Sequence, residues 1–336
     1  MVTITDISKA CGVSRATVSK ALNGASDVSP ETTKRIREVA ASLGYYPNAA
    51  ARALKMGRSY NIGVLFSDTT GGGISHEYFS LILESVKAEA ERLGYDITFI
   101  SKDLGRMSVD YYEHAKYRSC DGVVIASADF QDPAIIRLAQ SEIPTVTLDY
   151  SFDSRSSILS DNVQGMEQLV RFVYAKGHRK IAFIHGEVTS VTQKRVASFR
   201  KTCADLGLRI PPEYIREARF HDPRSSGLAT RALLELKEVP TCILYPDDLS
   251  FLGGFSELEK HGMSIPKDMS VAGYDGIPLS QVLRPRLTTY RQGATEMGTQ
   301  AARLLVSQIE NPDTWIPEQI TVEGELLPGD TVSEIG

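Results

Sequence analysis

The sequence predicts a small all-α N-terminal unit followed by a larger α/β unit that contains two doubly wound parallel sheets. The chain has 336 residues, more than one average domain, and 42% of them are hydrophobic, which is enough to bury two or three cores. From Tyr60 onward, short β-rich segments alternate with amphipathic helical segments. This alternation is typical of parallel sheets with helices on both faces.

The α/β part holds too many strand candidates for one sheet, so we expect two. The predicted strands lie at 61–66, 96–100, 122–126, 145–148, 180–184, 241–245 and 270–273. The main predicted helices lie at 77–93, 162–175, 192–206, 224–236, 249–261 and 295–309.

The N-terminal segment shows three short helical patterns and no strand pattern. The first two helices are expected at about 5–11 and 15–22. The third begins at the capping residue Ser29, has Pro30 at its first helical position, and ends near Gly44.

The first two of these helices fit a helix-turn-helix. Gly12 provides the tight turn between them, because a residue without Cβ tolerates a positive φ. Ser14 is placed to cap the second helix. The apolar residues that can close a small core are Ile4, Ile7, Ala10, Val13, Val18 and Leu22.

The exposed face of the second helix carries groups that can read DNA. Arg and Lys side chains bond to guanine, a small apolar group meets the thymine methyl, and Ser or Thr bonds to phosphates or base edges. The face presents Arg15, Ala16, Thr17, Ser19 and Lys20. The alternative is a small helical bundle whose charges are merely solvated, and the pattern alone leaves both interpretations open.

Charge is unevenly distributed along the chain. Residues 1–58 contain nine Lys or Arg and four Asp or Glu, which gives +5, so the total of −5 leaves −10 for the remainder. A polyanion partner is therefore expected for the first segment only.

Membrane insertion and metal or disulfide scaffolds are not expected. No apolar run approaches the roughly 20 residues that cross a bilayer, and no secretory signal pattern is seen, so we expect a cytoplasmic protein. We predict no cofactor, no metal and reduced thiols buried in the cores, because the cysteines are too scattered for a metal knuckle. They are Cys11, Cys120, Cys203 and Cys242.

Several motifs together resemble one family. In the first sixty residues these are Thr5-Asp-Ile, Gly12-Val-Ser, Ala16-Thr-Val-Ser, Leu22-Asn, Val28-Ser, Gly44-Tyr-Tyr-Pro-Asn and Ala51-Arg-Ala-Leu54. Later in the chain they are Arg195-Val-Ala-Ser-Phe, Val271-Ala-Gly-Tyr-Asp275 and Leu287-Thr-Thr-Tyr. On these motifs the chain resembles the LacI/GalR family of bacterial repressors over nearly its whole length.

The resemblance implies a hinge helix at 48–56 that becomes ordered when two subunits lie side by side on an operator. An isolated helix of this length is marginal in water, so its folding should depend on DNA and on the partner hinge. Leu54 occupies the family's wedge position in the minor groove, and its alternative role is a linker residue that covers the sensor. Arg52 is expected to contact the hinge or a phosphate. Other contacts implied by the resemblance are Thr5, Asn23, Asn48 and Ala51.

The resemblance also implies the domain organisation. Residues 1–47 are expected to form the DNA-binding headpiece, 48–59 the hinge and linker, and 60–336 a two-lobed sensor similar to a periplasmic sugar-binding protein. The expected N-terminal lobe is about 60–160 plus 291–325, and the C-terminal lobe about 161–290. Three crossovers join them.

Ligand positions are carried over from the family residue by residue. Carboxylates and a guanidinium suit sugar hydroxyls, and an aromatic face covers the apolar side of a sugar ring, so a carbohydrate is the leading ligand class. Gln292 is expected to follow the strand that re-enters the N-terminal lobe. The positions are Asp149, Arg195, Phe220, Asp247, Asp275 and Gln292.

Two of the candidate residues have alternative roles. Asp247 stands where many family members have asparagine, and it could instead cap the next helix, although Asp248 looks better placed to do so. The segment 71–79 follows a strand, where open α/β sheets bind ligands, and it offers His76 and Tyr78. The alternative for His76 is a surface histidine that precedes a helix.

The sequence thus predicts a homodimeric transcriptional repressor of carbohydrate-utilisation genes, which binds operator double-stranded DNA and a sugar-like effector. A glycoside hydrolase that uses the paired carboxylates and a soluble sugar carrier are the alternatives, and the headpiece argues against both. The three glycines at 71–73 lack the lysine of a phosphate-binding loop. The C-terminal end has no heptad repeat, which favours a dimer over a tetramer.

Overall fold

The computed structural model describes residues 2–22, 25, 27–45, 57–67, 73–105 and 108–335. The chain divides into two compact units, Met1–Ser59 and Tyr60–Gly336. Five predicted DNA contacts lie outside the described residues, namely Asn23, Asn48, Ala51, Arg52 and Leu54.

The first unit contains the three predicted helices, α1 (Ile4–Cys11), α2 (Arg15–Leu22) and α3 (Pro30–Ser42). Its fully buried core is formed by one face of each helix. Ser29 caps α3 as predicted, because its side chain accepts a hydrogen bond of 3.2 Å from the Thr32 N–H. Between α1 and α2, the chain turns at Gly12 with φ 63°.

The prediction is wrong for one core residue of this unit. Ala10 is exposed, whereas the neighbouring Cys11 is buried with Ile7, Val18 and Ile36. Successive residues of a helix point about 100° apart, and Cys11 lies one turn after Ile7 on the face that meets α2 and α3. Ala10 therefore turns towards solvent.

The second unit contains two six-stranded sheets. The first sheet has the strand order β11-β5-β4-β3-β1-β2, and all its pairings are parallel. Its strands are β1 (Asn61–Phe66), β2 (Asp96–Ile100), β3 (Gly122–Ser127), β4 (Thr145–Leu148), β5 (Ser156–Ser160) and β11 (Gln319–Val322). The helices of this lobe are α4 (Glu77–Arg92), α5 (Tyr111–Tyr117), α6 (Pro133–Gln140) and α12 (Ala294–Glu310).

The second sheet has the order β12-β10-β9-β8-β6-β7, and only the pairing of β10 with β12 is antiparallel. Its strands are β6 (Ile181–His185), β7 (Ile215–Glu217), β8 (Cys242–Leu244), β9 (Ser270–Asp275), β10 (Thr288–Arg291) and β12 (Glu325–Leu327). The helices that lie between β5 and α12 in the sequence are α7 (Asn162–Ala175), α8 (Ser190–Asp205), α9 (Pro223–Leu234), α10 (Asp248–Lys260) and α11 (Pro278–Val282).

The chain passes between the two sheets after β5, after β10 and after β11. The strand that precedes Gln292 is β10, which belongs to the second sheet, so the expectation that this strand re-enters the N-terminal lobe is wrong. The crossover begins at Gln292 itself, and α12 then packs on α4. The last strand, β12, returns to the second sheet.

Each sheet is buried by apolar residues from the helices on its faces. Val64 and Val124 of the first sheet pack with Ile82 of α4 and Leu305 of α12. All four cysteines are free thiols, three of them buried, and burial raises the pKa of Cys203 to about 12. In the part of the chain that the structure describes, no helix is long and apolar enough to cross a bilayer.

Candidate functional site

The exposed face of α2 is one candidate site. Ser14 caps this helix as predicted, since its hydroxyl oxygen accepts a hydrogen bond of 3.0 Å from the Thr17 N–H. Arg15, Ala16 and Lys20 are exposed. Thr17 and Ser19, like Thr5 on α1, are half-buried.

Lys20 forms an ion pair with Asp27, which sequence reasoning did not anticipate. The hydrogen bond from Lys20 lowers the pKa of Asp27. Both side chains are about half exposed, so the pair is weak and its ammonium group can exchange to a phosphate. Arg35 has a structural contact instead, because its guanidinium donates to the Cys11 carbonyl at 3.1 Å and joins α3 to α1.

A second candidate site is a cleft of about 700 Å³ within the larger unit. Its walls are loops that follow the carboxyl ends of strands in both sheets, where open α/β sheets bind ligands. Six of the eight predicted ligand residues line it, namely Tyr78, Asp149, Arg195, Phe220, Asp275 and Gln292.

A chain of hydrogen bonds joins three of these residues across the two lobes. The Ser160 N–H donates to Asp149 Oδ1 at 2.8 Å, and the Ser160 hydroxyl donates to Gln292 Oε1 at 2.6 Å. Gln292 Nε2 then donates to Asp275 Oδ1 at 2.6 Å. Ser160 was missed by sequence reasoning, because a serine at the end of a polar strand carries no distinctive signal.

The two cleft aspartates have unusual backbone and electrostatic properties. Asp149 has φ 54° and Asp275 has φ 97°, and non-glycine residues in such conformations cluster at functional sites. Burial raises the pKa of Asp149, and burial followed by the charge of Asp247 raises the pKa of Asp275 to about 6. Both carboxyls are therefore costly to ionise without a partner.

Arg195 is the buried cation of the cleft. Its Nε donates to Asn162 Oδ1 at 2.7 Å, and one terminal nitrogen donates to the Pro246 carbonyl at 2.9 Å. Its guanidinium carbon lies 3.6 Å from the centroid of the Tyr274 ring and 5.9 Å from that of Phe220. These contacts fix the guanidinium plane, which is thus preorganised for a bidentate contact.

Aromatic rings cover the cleft from two sides. Phe220 packs over Gly186, where an added Cβ would meet the ring at 2.2 Å. Phe130 and Tyr150 stack with centroids 4.4 Å apart and an interplanar angle of 4°. No sequence pattern marks Phe130 or Tyr150, because they follow different strands and meet only in the fold.

Asp247 lies behind the cleft and caps α10. Its Oδ1 accepts from the Ser250 N–H at 2.7 Å, and its Oδ2 accepts from the His221 N–H at 2.9 Å. Although burial opposes it, bonding and charge from His221 lower the pKa of Asp247. The expectation that Asp248 is better placed to cap is wrong, since Asp248 accepts instead from Thr289 Oγ1 at 2.6 Å.

The segment before α4 supplies the last two predicted residues. Tyr78 is buried, and its hydroxyl lies 3.5 Å from Met297 Sδ. His76 precedes α4 but is 5% exposed, so the surface alternative is wrong. Its imidazole packs on His221, with ring centroids 3.6 Å apart. Gly71 and Gly72 lie outside the described residues.

Comparison with known proteins gives two family matches. Residues 3–48 match the family described as bacterial regulatory proteins, lacI family, and residues 170–332 match the periplasmic binding protein-like domain. The first match contains the whole of the helix-turn-helix. The second contains much of the cleft-lining sequence, including Arg195 and Asp275.

Curated relatives also match over nearly the whole of this chain. The chain is 30% identical to the probable HTH-type transcriptional repressor ExuR of Bacillus subtilis, over 100% of this chain and 99% of the relative. It is 28% identical to the HTH-type transcriptional repressor PurR of Haemophilus influenzae, over the full length of both. The lac repressor dimer bound to operator and the anti-inducer ONPF is similar in structure, with a TM-score of 0.83, 26% identity and 99% of both chains covered.

The two sites and these matches agree. The exposed α2 face belongs to a helix-turn-helix, the cleft belongs to a two-lobed binding fold, and the relatives are repressors, not enzymes. The chain therefore belongs to the lacI family of bacterial regulatory proteins and is a DNA-binding transcriptional repressor with a ligand-binding sensor.

Proposed function

We propose that this repressor controls carbohydrate-utilisation genes and that a sugar-like effector in the cleft sets its operator affinity. The observation that carries the proposal is the hydrogen-bonded chain from Asp149 through Ser160 and Gln292 to Asp275, with Arg195 in the same cleft. Its members offer acceptors and donors in fixed positions, which suits vicinal hydroxyls.

The aromatic rings support the same ligand class. Phe220 and the stacked pair of Phe130 and Tyr150 line a cleft whose volume falls in the range of roughly 300–1,000 Å³ typical of small-molecule sites. We propose that Asp149, Arg195, Phe220, Asp275 and Gln292 contact the sugar. Tyr78 then supplies packing, and Asp247 holds the loop of His221 from behind.

On the DNA side, we propose that two copies of the chain bind one operator as a homodimer in the cytoplasm. Arg15 and Lys20 would contact base edges or phosphates, which makes the affinity salt-dependent. The pair of hinges at 48–56, with Leu54 as the minor-groove wedge and Arg52 at a phosphate, would read the deformability of the central base step. The effector must bind the DNA-competent and incompetent states unequally to change this affinity.

A thermal-shift screen of the purified chain against monosaccharides, disaccharides, sugar phosphates and purines tests the ligand class. An effector that binds the native state raises the melting temperature, so we expect a neutral sugar to do so. A purine or a sugar phosphate as the sole hit would contradict the ligand class and leave the repressor assignment intact. Incubation with the sugar's glycosides should give no hydrolysis, and turnover that Asp275→Asn abolishes would favour the hydrolase alternative.

A further inference from the structure

Two imidazoles and one carboxylate meet at the inner wall of the cleft. His76, His221 and Asp275 each offer a ligand atom, and these three atoms all lie within 4.8 Å of one another. His76 and Asp275 are buried, and His221 is only partly accessible. The three residues are far apart in the sequence, so no spacing motif announces them.

The cluster joins the two lobes. His76 stands at the start of α4, which packs on the first sheet, whereas His221 follows β7 and Asp275 ends β9 in the second sheet. The two imidazole rings lie with centroids 3.6 Å apart at an angle of 42°. Phe79 flanks both rings at 5.8 Å, which shields them from solvent.

The surroundings favour a cation. Asp247 Oδ1 lies 3.5 Å from His221 Nδ1, and a carboxylate beside one ring nitrogen is the arrangement that orients metal-binding histidines. Asp149 and Asp275 are also close enough to Arg195 to interact electrostatically with it. Asp247, Asp149 and Asp275 thus bring three buried or partly buried carboxylates near the cluster, two of which share the charge of Arg195, and a divalent cation would balance the excess negative charge.

We propose that His76, His221 and Asp275 bind a divalent transition-metal ion of the Zn²⁺ type and thereby join the two lobes. Imidazole is a ligand that Zn²⁺ and its neighbours prefer, and two histidines with one carboxylate form a known three-ligand set that leaves an open position. Ligand atoms around tetrahedral Zn²⁺ stand roughly 3.4 Å apart, so small side-chain rotations close the observed cluster onto the ion. The open position faces the cleft, where water or an effector oxygen completes the coordination.

Calorimetric titration of the full chain with Zn²⁺, after dialysis against a chelator, tests this site without any effector. We expect one Zn²⁺ per chain in the wild type, and a loss of affinity of more than about tenfold in each of His76→Ala, His221→Ala and Asp275→Asn. The control is His261→Ala, because His261 lies beside the buried Glu257 on α10, outside the cleft. This variant should bind Zn²⁺ like the wild type.

A second readout separates binding from folding. Co²⁺ in a site with two histidines absorbs visible light, and we expect this absorption in the wild type and in His261→Ala only. Circular dichroism melts of the metal-free variants identify any that fail to fold, and those are replaced by His76→Gln or His221→Gln. Unchanged Zn²⁺ affinity in all three cleft variants would contradict the proposed site. If only the His76 variant kept the affinity of the wild type, the ion would not join the two lobes. Both titrations are made without sugar, so either result leaves the sugar proposal to be decided by the thermal-shift screen.

Discussion

Gln292 Nε2 donates a hydrogen bond of 2.6 Å to Asp275 Oδ1 at the point where the chain leaves the second sheet for the first lobe. The same amide accepts from Ser160, which ends a strand of the first sheet. One buried side chain therefore bonds to both lobes. A change in the angle between the lobes must stretch or break one of these two hydrogen bonds. Gln292 therefore couples the angle between the lobes to the positions of Ser160 and Asp275.

The first prediction concerns this amide. Gln292→Ala should weaken binding of the sugar identified in the screen by about 10-fold or more, because a buried bond to a charged group contributes roughly 1.5–3 kcal/mol. Isothermal titration calorimetry measures the effect. Gln300→Ala is the control, since Gln300 bonds to Glu296 on the exposed face of α12. Equal sugar affinities in the two variants would show that Gln292 does not contribute to sugar binding.

The second prediction concerns Arg195. Arg195→Ala should abolish the response of operator binding to the sugar, while DNA binding without sugar persists. It should also lower the melting temperature, because Asn162 and the Pro246 carbonyl lose a charged donor, at a cost of roughly 3 kcal/mol or more.

The exposed Arg200 of the same helix provides the control for this variant. Arg200→Ala should change neither the melting temperature nor the response. A normal sugar response in a folded Arg195→Ala protein would exclude Arg195 from the site.

The third prediction is a pH dependence of stability in the first lobe. Glu89 of α4 accepts from Arg92 at 2.7 Å and from Arg303 of α12 at 2.6 Å, and these two bonds lower its pKa to about 2. The unfolded chain has an ordinary glutamate pKa of about 4.3, so it takes up protons first as the pH falls. The stabilisation is therefore complete above about pH 5 and is lost as the pH falls towards 2.

Thermal melts of Glu89→Gln and wild type from pH 7 down to about pH 4 test this sign. The wild type should melt at a higher temperature at pH 7, and the difference should shrink as the pH falls. Glu91→Gln is the control, because the Glu91 pair with Lys87 is exposed and contributes little at any pH. A difference that grows towards low pH would contradict the assignment.

The long elements of the sensor could be predicted from the sequence because their apolar periodicity is strong. The helix at 162–175 and the strands at 61–66 and 96–100 match the structure residue for residue. Strand β5 was missed because it reads Ser-Ser-Ile-Leu-Ser, although all five residues are buried between β4 and β11. Its polar side chains are satisfied by tertiary hydrogen bonds that no local pattern reveals.

The candidate site, like the fold, could be predicted only in part from the sequence. The family resemblance predicted Asp149, Arg195 and Asp275, and the structure places all three in the wall of the cleft. The family motifs left open whether Asp247 contacts the ligand or caps the next helix, and the structure shows that it caps α10. The motifs did not reveal the contact of His76 with His221, which is created only when the two lobes meet.

The fourth prediction concerns the headpiece. An operator is first recovered by selection from random DNA duplexes. On this operator, Lys20→Ala should weaken DNA binding and reduce its salt dependence, because one phosphate or base contact is lost. Lys9→Ala, which alters α1, is the matched control. Fluorescence anisotropy at several salt concentrations measures both, and equal salt slopes would argue against a DNA contact of Lys20.

The fifth prediction concerns the hinge. Leu54→Ala should weaken operator binding because the wedge that opens the central base step is removed, and it should leave sugar affinity unchanged. The measurement pairs anisotropy on the operator with calorimetry on the sugar. Unchanged operator affinity at fixed salt would favour the alternative in which Leu54 covers the sensor.

An operator titration of this chain, with and without the sugar that raises its melting temperature, tests most directly whether the cleft controls DNA binding. We expect the sugar to change operator affinity by about 5- to 150-fold, the range of typical allosteric couplings, and we expect Gln292→Ala to reduce that change. A sugar that binds in the cleft and leaves operator affinity the same would contradict control of the repressor by this cleft.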